Sequence, residues 1–317
     1  MDATLEVDVR PAWPHRLPLR GSPDGIVRVR RGVLARLLHV DGAPIVVHAW
    51  QLWDGTVMLR ATSSARSTPR QTLEVAIERM RFALGVDDDL SEFYARFRGD
   101  RLLGPAIRQR PWLRPRRRPW PWEALAWAVT MQLIETGRAA AIQRRIVWRW
   151  GPTVGEPPSQ PGRGGGGSRA RGRSDVLRDV PDAGTIAGAA PAELAATDLA
   201  PSRALSLIKV AREVAAGRAD LRDPDADRRL LAIPGIGTWT VRCLGLYGRG
   251  DPDALPSGDL GFVKLIGRLA NLGRRAVPEE VEEFFAPYAP FRGLAGTFVL
   301  RAYHGQAAKG PPLRRAA

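Results

Sequence analysis

Cysteine is nearly absent from this 317-residue chain, with Cys243 standing alone, and lysine is almost as scarce, with only Lys209, Lys264 and Lys309. A single thiol closes no intramolecular disulfide and cannot supply the zinc or iron–sulfur centres that need several thiolates, so redox and cluster chemistry are set aside. The four histidines, His15, His39, His48 and His304, fall at no zinc-ligand spacing. No run reaches the ~18 apolar residues of a membrane helix, and residues 1–10 lack the basic start and long apolar stretch of a signal peptide. These absences lead us to expect a reduced, cytoplasmic setting, associated with the nucleoid if the partner is DNA, and no membrane.

Arginine is what the chain has in excess. Lys and Arg together number 48 against 33 Asp and Glu, a formal net charge of +15. Genome composition accounts for the choice of Arg over Lys, but not for the surplus of positive charge. That surplus points to a polyanionic partner, nucleic acid first, with a generic basic surface as the alternative. A hydrophobic fraction of 44% and a charged fraction of 26% are those of a globular protein, and the length allows two or three domains.

Two textures divide the chain. Over 26–61 the residues read as strands: 26–30 alternates with period two, 45–47 and 56–59 are β-branched and apolar, and Asp54-Gly55 is a hairpin signal. Thr68-Pro69-Arg70-Gln71 then reads as a capping box with Pro at the first helical position, opening a helix that runs to Gly85. Beyond Leu90 apolar residues recur at helical spacing over 121–134, 139–150, 201–216, 225–233, 238–247, 260–272, 278–285 and 294–304. The expected fold is α+β: a small N-terminal α+β domain with an antiparallel sheet over 1–95, then a mostly α-helical domain over 96–317. A Gly, Pro and Arg insertion at 156–173 is expected to be a flexible loop inside the helical domain.

The most informative stretch is Ile233-Pro234-Gly235-Ile236-Gly237-Thr238-Trp239-Thr240. Pro234 ends one short helix, two glycines permit a tight turn, and Thr238 can cap the next helix. With no side chains at Gly235 and Gly237, amides at the second helix's start can face a phosphate oxygen. An ordinary helix–turn–helix connection reads equally well from these residues alone. Further on comes Leu255-Pro256-Ser257-Gly258-Asp259-Leu260-Gly261, with Asp259 twenty residues past Trp239. Asp259 stands where a helix begins, so it is first an N-cap, and the helix dipole that favours the cap also favours its negative charge. The same carboxylate can stabilise positive charge on a sugar, and the two readings are compatible.

A hairpin followed by a Pro-x-x-Asp loop resembles the helix-hairpin-helix-Gly/Pro-Asp DNA glycosylases, and in detail their 3-methyladenine DNA glycosylase II branch. Residues 87–94, Trp122-Glu123-Ala124-Leu125 with Gln132-Leu133, and the stretch 192–211 are also similar to segments of that branch, as is the N-terminal α+β domain. The resemblance implies a monofunctional hydrolase that flips an alkylated purine out of double-stranded DNA, acting as a monomer without a cofactor. It makes Asp259 the catalytic carboxylate and Trp239 the aromatic wall for the base. Bifunctional relatives carry a lysine at that position as a Schiff-base nucleophile. It further makes Gly235, Gly237, Thr238 and Thr240 the DNA-binding hairpin, and Gln132 and Leu133 the turn that fills the gap left by the flipped nucleotide. No metal is expected on side chains; a monovalent cation on the hairpin backbone near Ile233 and Ile236 is implied by the superfamily.

The sequence departs from the family's pattern in places. Met131 and Glu135 flank the wedge turn where a glycine and a small polar residue are usual. Cys243 and Leu300 occupy positions where aromatics are common. The tryptophans at 112, 120, 122, 127, 148 and 150 read as packing residues, and 114–118 as a solvated basic loop able to touch phosphate. The alternatives are a non-catalytic damage-binding protein and a glycosylase for hypoxanthine or oxidised guanine.

Overall fold

The computed structural model describes residues 3–155 and 176–303. The insertion at 156–173 and His304 lie outside the described residues. Five antiparallel strands, β1 (Ala3–Val9), β2 (Val27–Arg30), β3 (Val33–Val40), β4 (Ala43–Gln51) and β5 (Val57–Ser63), form one sheet in the order β1-β5-β4-β3-β2. Turns with positive φ at Arg31-Gly32 and Asp41-Gly42 close the two hairpins on either end of β3, the geometry that matches strand twist. Sequence pattern did not single out β1 or β3. In β3 a charged residue, Arg36, breaks the apolar run, yet it is 1% exposed and points into the protein.

Helix α1 (Arg70–Leu84) covers one face of the sheet through Leu73, Ala76, Ile77 and Met80. Its expected capping box does not form: Pro69 is the N-cap and no side chain caps it. Thr68 instead lies within hydrogen-bond distance of Ser63 and the Ala65 carbonyl, closing the loop from β5. The competing local bond won because Ser63 sits 2.8 Å away.

The helical part runs α2 (Ser91–Phe97), α3 (Leu103–Gln109), α4 (Pro121–Met131), α5 (Thr136–Trp150), a two-stranded pair β6 (Thr153–Val154) and β7 (Leu177–Arg178), then α6 (Ala183–Ala187), α7 (Pro191–Ala195) and α8 (Pro201–Ala215). After these come α9 (Ala226–Leu231), α10 (Thr238–Cys243), a π-helical turn (Leu244–Arg249), α11 (Leu260–Leu269), α12 (Pro278–Phe285) and α13 (Arg292–Tyr303). Two cores result. Leu125, Val129, Ile142, Leu207 and Leu230 hold α4, α5, α8 and α9 together, and Ile26 of the N-terminal segment is buried among them. Phe93, Phe97, Phe285 and Phe298 join α2 to α12 and α13, with Phe93 and Phe298 centroids 5.4 Å apart. A residue in sequence position 93 therefore packs with the last described helix, and α2 is continuous through residue 95.

Sheet and helices are joined by a buried ionic cluster. The Arg36 guanidinium donates to Glu123 at 2.8 Å and to Asp179 at 3.1 Å. Arg118 reaches Glu123 at 3.1 Å and Asp24 at 3.2 Å, and the Trp127 indole also donates to Asp24. The basic loop at 114–118 is thus mostly a strap rather than a solvated patch. Arg114 is buried and donates to the carbonyls of Leu113 and Pro14, Arg117 pairs with Asp88, and only Arg116 is exposed. The reason is that the segment crosses the junction between the two parts, where its guanidiniums find carbonyls and carboxylates that need partners.

His15 ties the N-terminal segment to the end of α1, its Nε2–H donating to the Leu84 carbonyl at 2.9 Å. Nδ1 is buried without a partner, so a second proton would have nowhere to bond. Burial, and secondarily Arg114, lower the His15 pKa; burial and Arg60 do the same for His48. A histidine whose folded pKa is depressed favours folding above its unfolded value of about 6.5 and loses that contribution as pH falls below it. Thermal unfolding between pH 7.5 and 5 should show a midpoint that declines on acidification, and His15→Gln should flatten the decline. A midpoint indifferent to pH across that window would contradict the assignment.

Candidate DNA-binding and base-excision site

α9 and α10 form a hairpin whose turn is fixed from below. Leu230, Ile233 and Ile236 point into the core. Gly235 has φ +87°, and a Cβ there would lie 2.3 Å from Ser206 Oγ of α8, so both conformation and space demand glycine. The Ser206 hydroxyl also sits 2.8 Å from the Pro234 carbonyl. Gly237 is the N-cap of α10, with nothing near its Cβ position, which leaves the helix start open to solvent. Thr238 is exposed at the first helical position and caps nothing. Thr240 is 1% exposed, its hydroxyl accepting from Gln132, and therefore offers no surface to DNA.

Gln132 also turns inward. Its side-chain amide donates to the Gly235 carbonyl at 2.8 Å and to Thr240 Oγ1 at 2.9 Å, so it fastens the turn after α4 to the hairpin. Leu133 does the opposite. It is 99% exposed and held at φ +56°, a conformation that costs a branched residue energy and that here thrusts an apolar side chain into solvent beside the hairpin. Gln132 and Leu133 thus divide the expected wedge between them: one anchors, the other projects.

Asp259 is the N-cap of α11, its Oδ1 accepting from the Gly261 amide at 2.7 Å, which leaves Oδ2 without a protein donor among the described residues. The loop before it is braced by Ser257, whose hydroxyl donates to Glu282 of α12 at 2.9 Å. Trp239 lies alongside: a Cβ on Gly258 would touch its Cβ and Cδ1 at 3.8 Å, and Pro278 stands on the other side. The indole Nε1 is buried and has no partner. The nineteen residues between Trp239 and Asp259 fold back so that Trp239 packs beside Gly258, the residue before Asp259. Leu300 of α13 closes the site over Gly261, where a Cβ would be 3.1 Å from its methyl.

Cys243, one helical turn after Trp239, is buried; burial and then Asp259 push its thiol pKa well up, so it is a neutral wall and no nucleophile. Tyr247 was not singled out from sequence. Its only signal was the spacing of four residues from Trp239 to Cys243 and four more to Tyr247, and the π-turn that uses this spacing is invisible to a pattern of period 3.6. Lys264 is exposed on α11 and Lys209 lies on α8. Among the described residues no group of three or more His, Cys, Asp or Glu could hold a metal ion, and no helix is long and apolar enough to cross a membrane.

Comparison with known proteins gives the same frame. The chain is 22% identical over 296 residues to the DNA-3-methyladenine glycosylase of Bacillus subtilis (strain 168), covering 90% of this chain and 91% of that protein. A 69-residue stretch, 21% of this chain and 13% of the relative, is 41% identical to the probable bifunctional transcriptional activator/DNA repair enzyme AlkA of Mycobacterium tuberculosis. Among solved structures, the 3-methyladenine DNA-glycosylase from Archaeoglobus fulgidus superposes with a TM-score of 0.74 at 20% identity, over 94% of this chain and 98% of that one. The apo 8-oxoguanine glycosylase/lyase of Clostridium acetobutylicum gives 0.68 at 13% identity, over 94% and 97%. No family model matches the chain. A five-stranded antiparallel sheet followed by a helical body is the fold that the chain shares with these glycosylase structures.

Proposed function

We propose that this protein is a monofunctional DNA glycosylase that flips an alkylated purine of the 3-methyladenine type out of duplex DNA and hydrolyses its N-glycosidic bond. The observation that carries this reading is the packing of Trp239 beside Gly258, the residue that precedes Asp259. Trp239 then supplies an aromatic face for an electron-deficient base, and Asp259 a carboxylate for the sugar.

Each residue then has a task. The open start of α10 at Gly237 and Thr238 offers backbone amides to a phosphate, gripping one strand without reading sequence. Leu133 enters the stack and occupies the place of the extruded nucleotide. Alkylation at N3 or N7 puts positive charge on the purine, so the C1′–N9 bond breaks with the electron pair leaving on the base and little acid assistance is needed. Asp259 Oδ2 faces the developing oxocarbenium ion and lowers its energy electrostatically. Water then adds to C1′ and its proton passes to the carboxylate or to solvent. Trp239 has no amine to form a Schiff base, which separates this chain from a lyase of similar fold. A monovalent cation on the carbonyls of Ile233 and Ile236 would add positive charge beside the phosphate. The Ile233 carbonyl already accepts the Ile236 amide at 3.0 Å and would have to share its second lone pair.

Incubation with methylated DNA, with free bases and strand breaks scored separately, tests the reading. Release of 3-methyladenine without strand cleavage before alkali is expected; alkali-independent cleavage would refute the monofunctional step, and binding without release would leave a damage-binding protein. Leu133→Ala should lower base release roughly 10- to 100-fold, since the intercalated leucine is worth about 1.5–3 kcal/mol. Its melting temperature should stay at the parent value, because the side chain contacts nothing in the free protein. Parent-like release by this variant would exclude Leu133 as the wedge.

A further inference from the structure

The hairpin that is to grip a phosphate carries no charge of its own. From Leu230 to Val241 every side chain is apolar or neutral, so the amides at the start of α10 meet the strand only as dipoles. Arg242, the next residue, lines a cleft with Asp227, Arg249 and Asp251. A cation at the turn has to come from another element, and α8 is a helix that touches the turn, through Ser206.

Two contacts fix the direction of α8 against α9. Ser206 Oγ sits 2.8 Å from the Pro234 carbonyl and Glu213 pairs with Arg229 at 3.1 Å, so positions rise along α8 as they fall toward α9. The two segments are antiparallel, and the first turn of α8 therefore extends past the hairpin's turn. Arg203 stands three residues before Ser206, about 4.5 Å further along the axis and roughly 60° around it, a neighbour on the same helix surface. Its backbone is thus carried past Gly235, whose Cβ position lies 2.3 Å from Ser206 Oγ, toward the side where Pro234, Gly235, Gly237 and Thr238 are exposed. The Arg203 guanidinium has no hydrogen bond or ion pair among the described residues. Asp198, just before α8, is held by Arg138, and Glu213, within it, by Arg218 and Arg229. Lys209 is exposed on the same helix but lies three residues after Ser206, an equal step away from the turn.

We propose that Arg203 is a strand-positioning residue, whose guanidinium takes a phosphate oxygen beside the phosphate held by the amides at the start of α10. The neutral turn sets where the strand lies, and the cation one helical turn beyond it adds the charge that the turn lacks. A guanidinium has only donors to offer, and a phosphate oxygen is the acceptor that DNA presents there without regard to sequence. This rests on the glycosylase reading and adds a residue to its DNA interface.

The salt dependence of binding reads this directly. Each phosphate neutralised by Lys or Arg contributes about 0.9 to the slope of log K against log salt, whereas neutral amides have no charge to exchange for counterions. Arg203→Met keeps an unbranched stem and removes the guanidinium. With a duplex carrying an abasic analogue, titrated from about 50 to 200 mM salt, its slope should be shallower than the parent's by about 0.9. Affinity at the low-salt end should fall roughly tenfold, the size of one hydrogen bond to a charged group. Arg203→Lys should restore the slope, and Lys209→Met should keep the parent's. A parent slope in Arg203→Met, with thermal unfolding also equal, would overturn the proposal. So would an equal change in Lys209→Met, which would mark an effect of net charge alone. A parent protein that binds the duplex but releases no base would refute the glycosylase reading, and the slopes would still decide Arg203; one that does not bind duplex DNA overturns both.

Discussion

Asp259→Asn is expected to lower the rate of base release roughly 1,000-fold, about 4 kcal/mol of transition-state stabilisation. The substitution is close to isosteric. The asparagine carbonyl can still accept the Gly261 amide that Asp259 takes at 2.7 Å, so the N-cap survives and the fold should be unaffected. What disappears is the negative charge facing the sugar. Affinity for a duplex carrying an abasic analogue should stay within a few-fold of the parent, because the hairpin amides and Leu133 are untouched. Single-turnover release and equilibrium binding, measured side by side, separate the two effects. Near-parent release by the asparagine variant would remove Asp259 from the chemistry and with it the proposed mechanism.

The second large effect concerns the joint between sheet and helices. Arg36 is 1% exposed and lies between Glu123, also 1% exposed, and Asp179. Burial pushes the Glu123 carboxyl upward despite Arg36 and Arg118, which shows how much desolvation this cluster carries. Arg36→Ala would leave Glu123, Asp179 and Asp24 facing one another with Arg118 as the remaining guanidinium. Breaking a buried ion pair from one side costs about 3–5 kcal/mol, and for a chain of this size that corresponds to a fall in melting temperature of roughly 6–20 °C. An apolar replacement of the whole set, Arg36→Met with Glu123→Leu and Asp179→Asn, should recover part of the loss, since the penalty lies in the orphaned charges. A melting temperature within about 1 °C of the parent for Arg36→Ala, well under the shift expected of a broken buried pair, would mean that water enters the joint and the cluster is not sealed.

Site residues were legible to different degrees, and the reason differs from residue to residue. Gly235 and Gly237 could be read because the turn tolerates no side chain there. Asp259 could be read because a helix start and a Pro-x-x-Asp loop coincide. Thr240 and Gln132 are DNA contacts by what the resemblance implies, and in the fold the Gln132 amide donates to the buried Thr240 hydroxyl, a bond across 108 positions that neither residue's neighbours announce. Leu133, which from sequence suits a core as well as a wedge, is set apart by its positive φ and its exposure.

By itself the sequence determined the longer helices, where the hairpin turns and the surplus of positive charge, because these follow from local conformational preference, side-chain volume and charge, while the residue in the lysine's place came from the resemblance. Only the tertiary structure decided that β3 carries a buried arginine into the joint, that Gln132 anchors while Leu133 projects, and that residues 244–249 form a π-helical turn. Those outcomes depend on which distant groups come within hydrogen-bond or packing distance, and contacts between residues a hundred positions apart leave no trace in either one's neighbours along the chain.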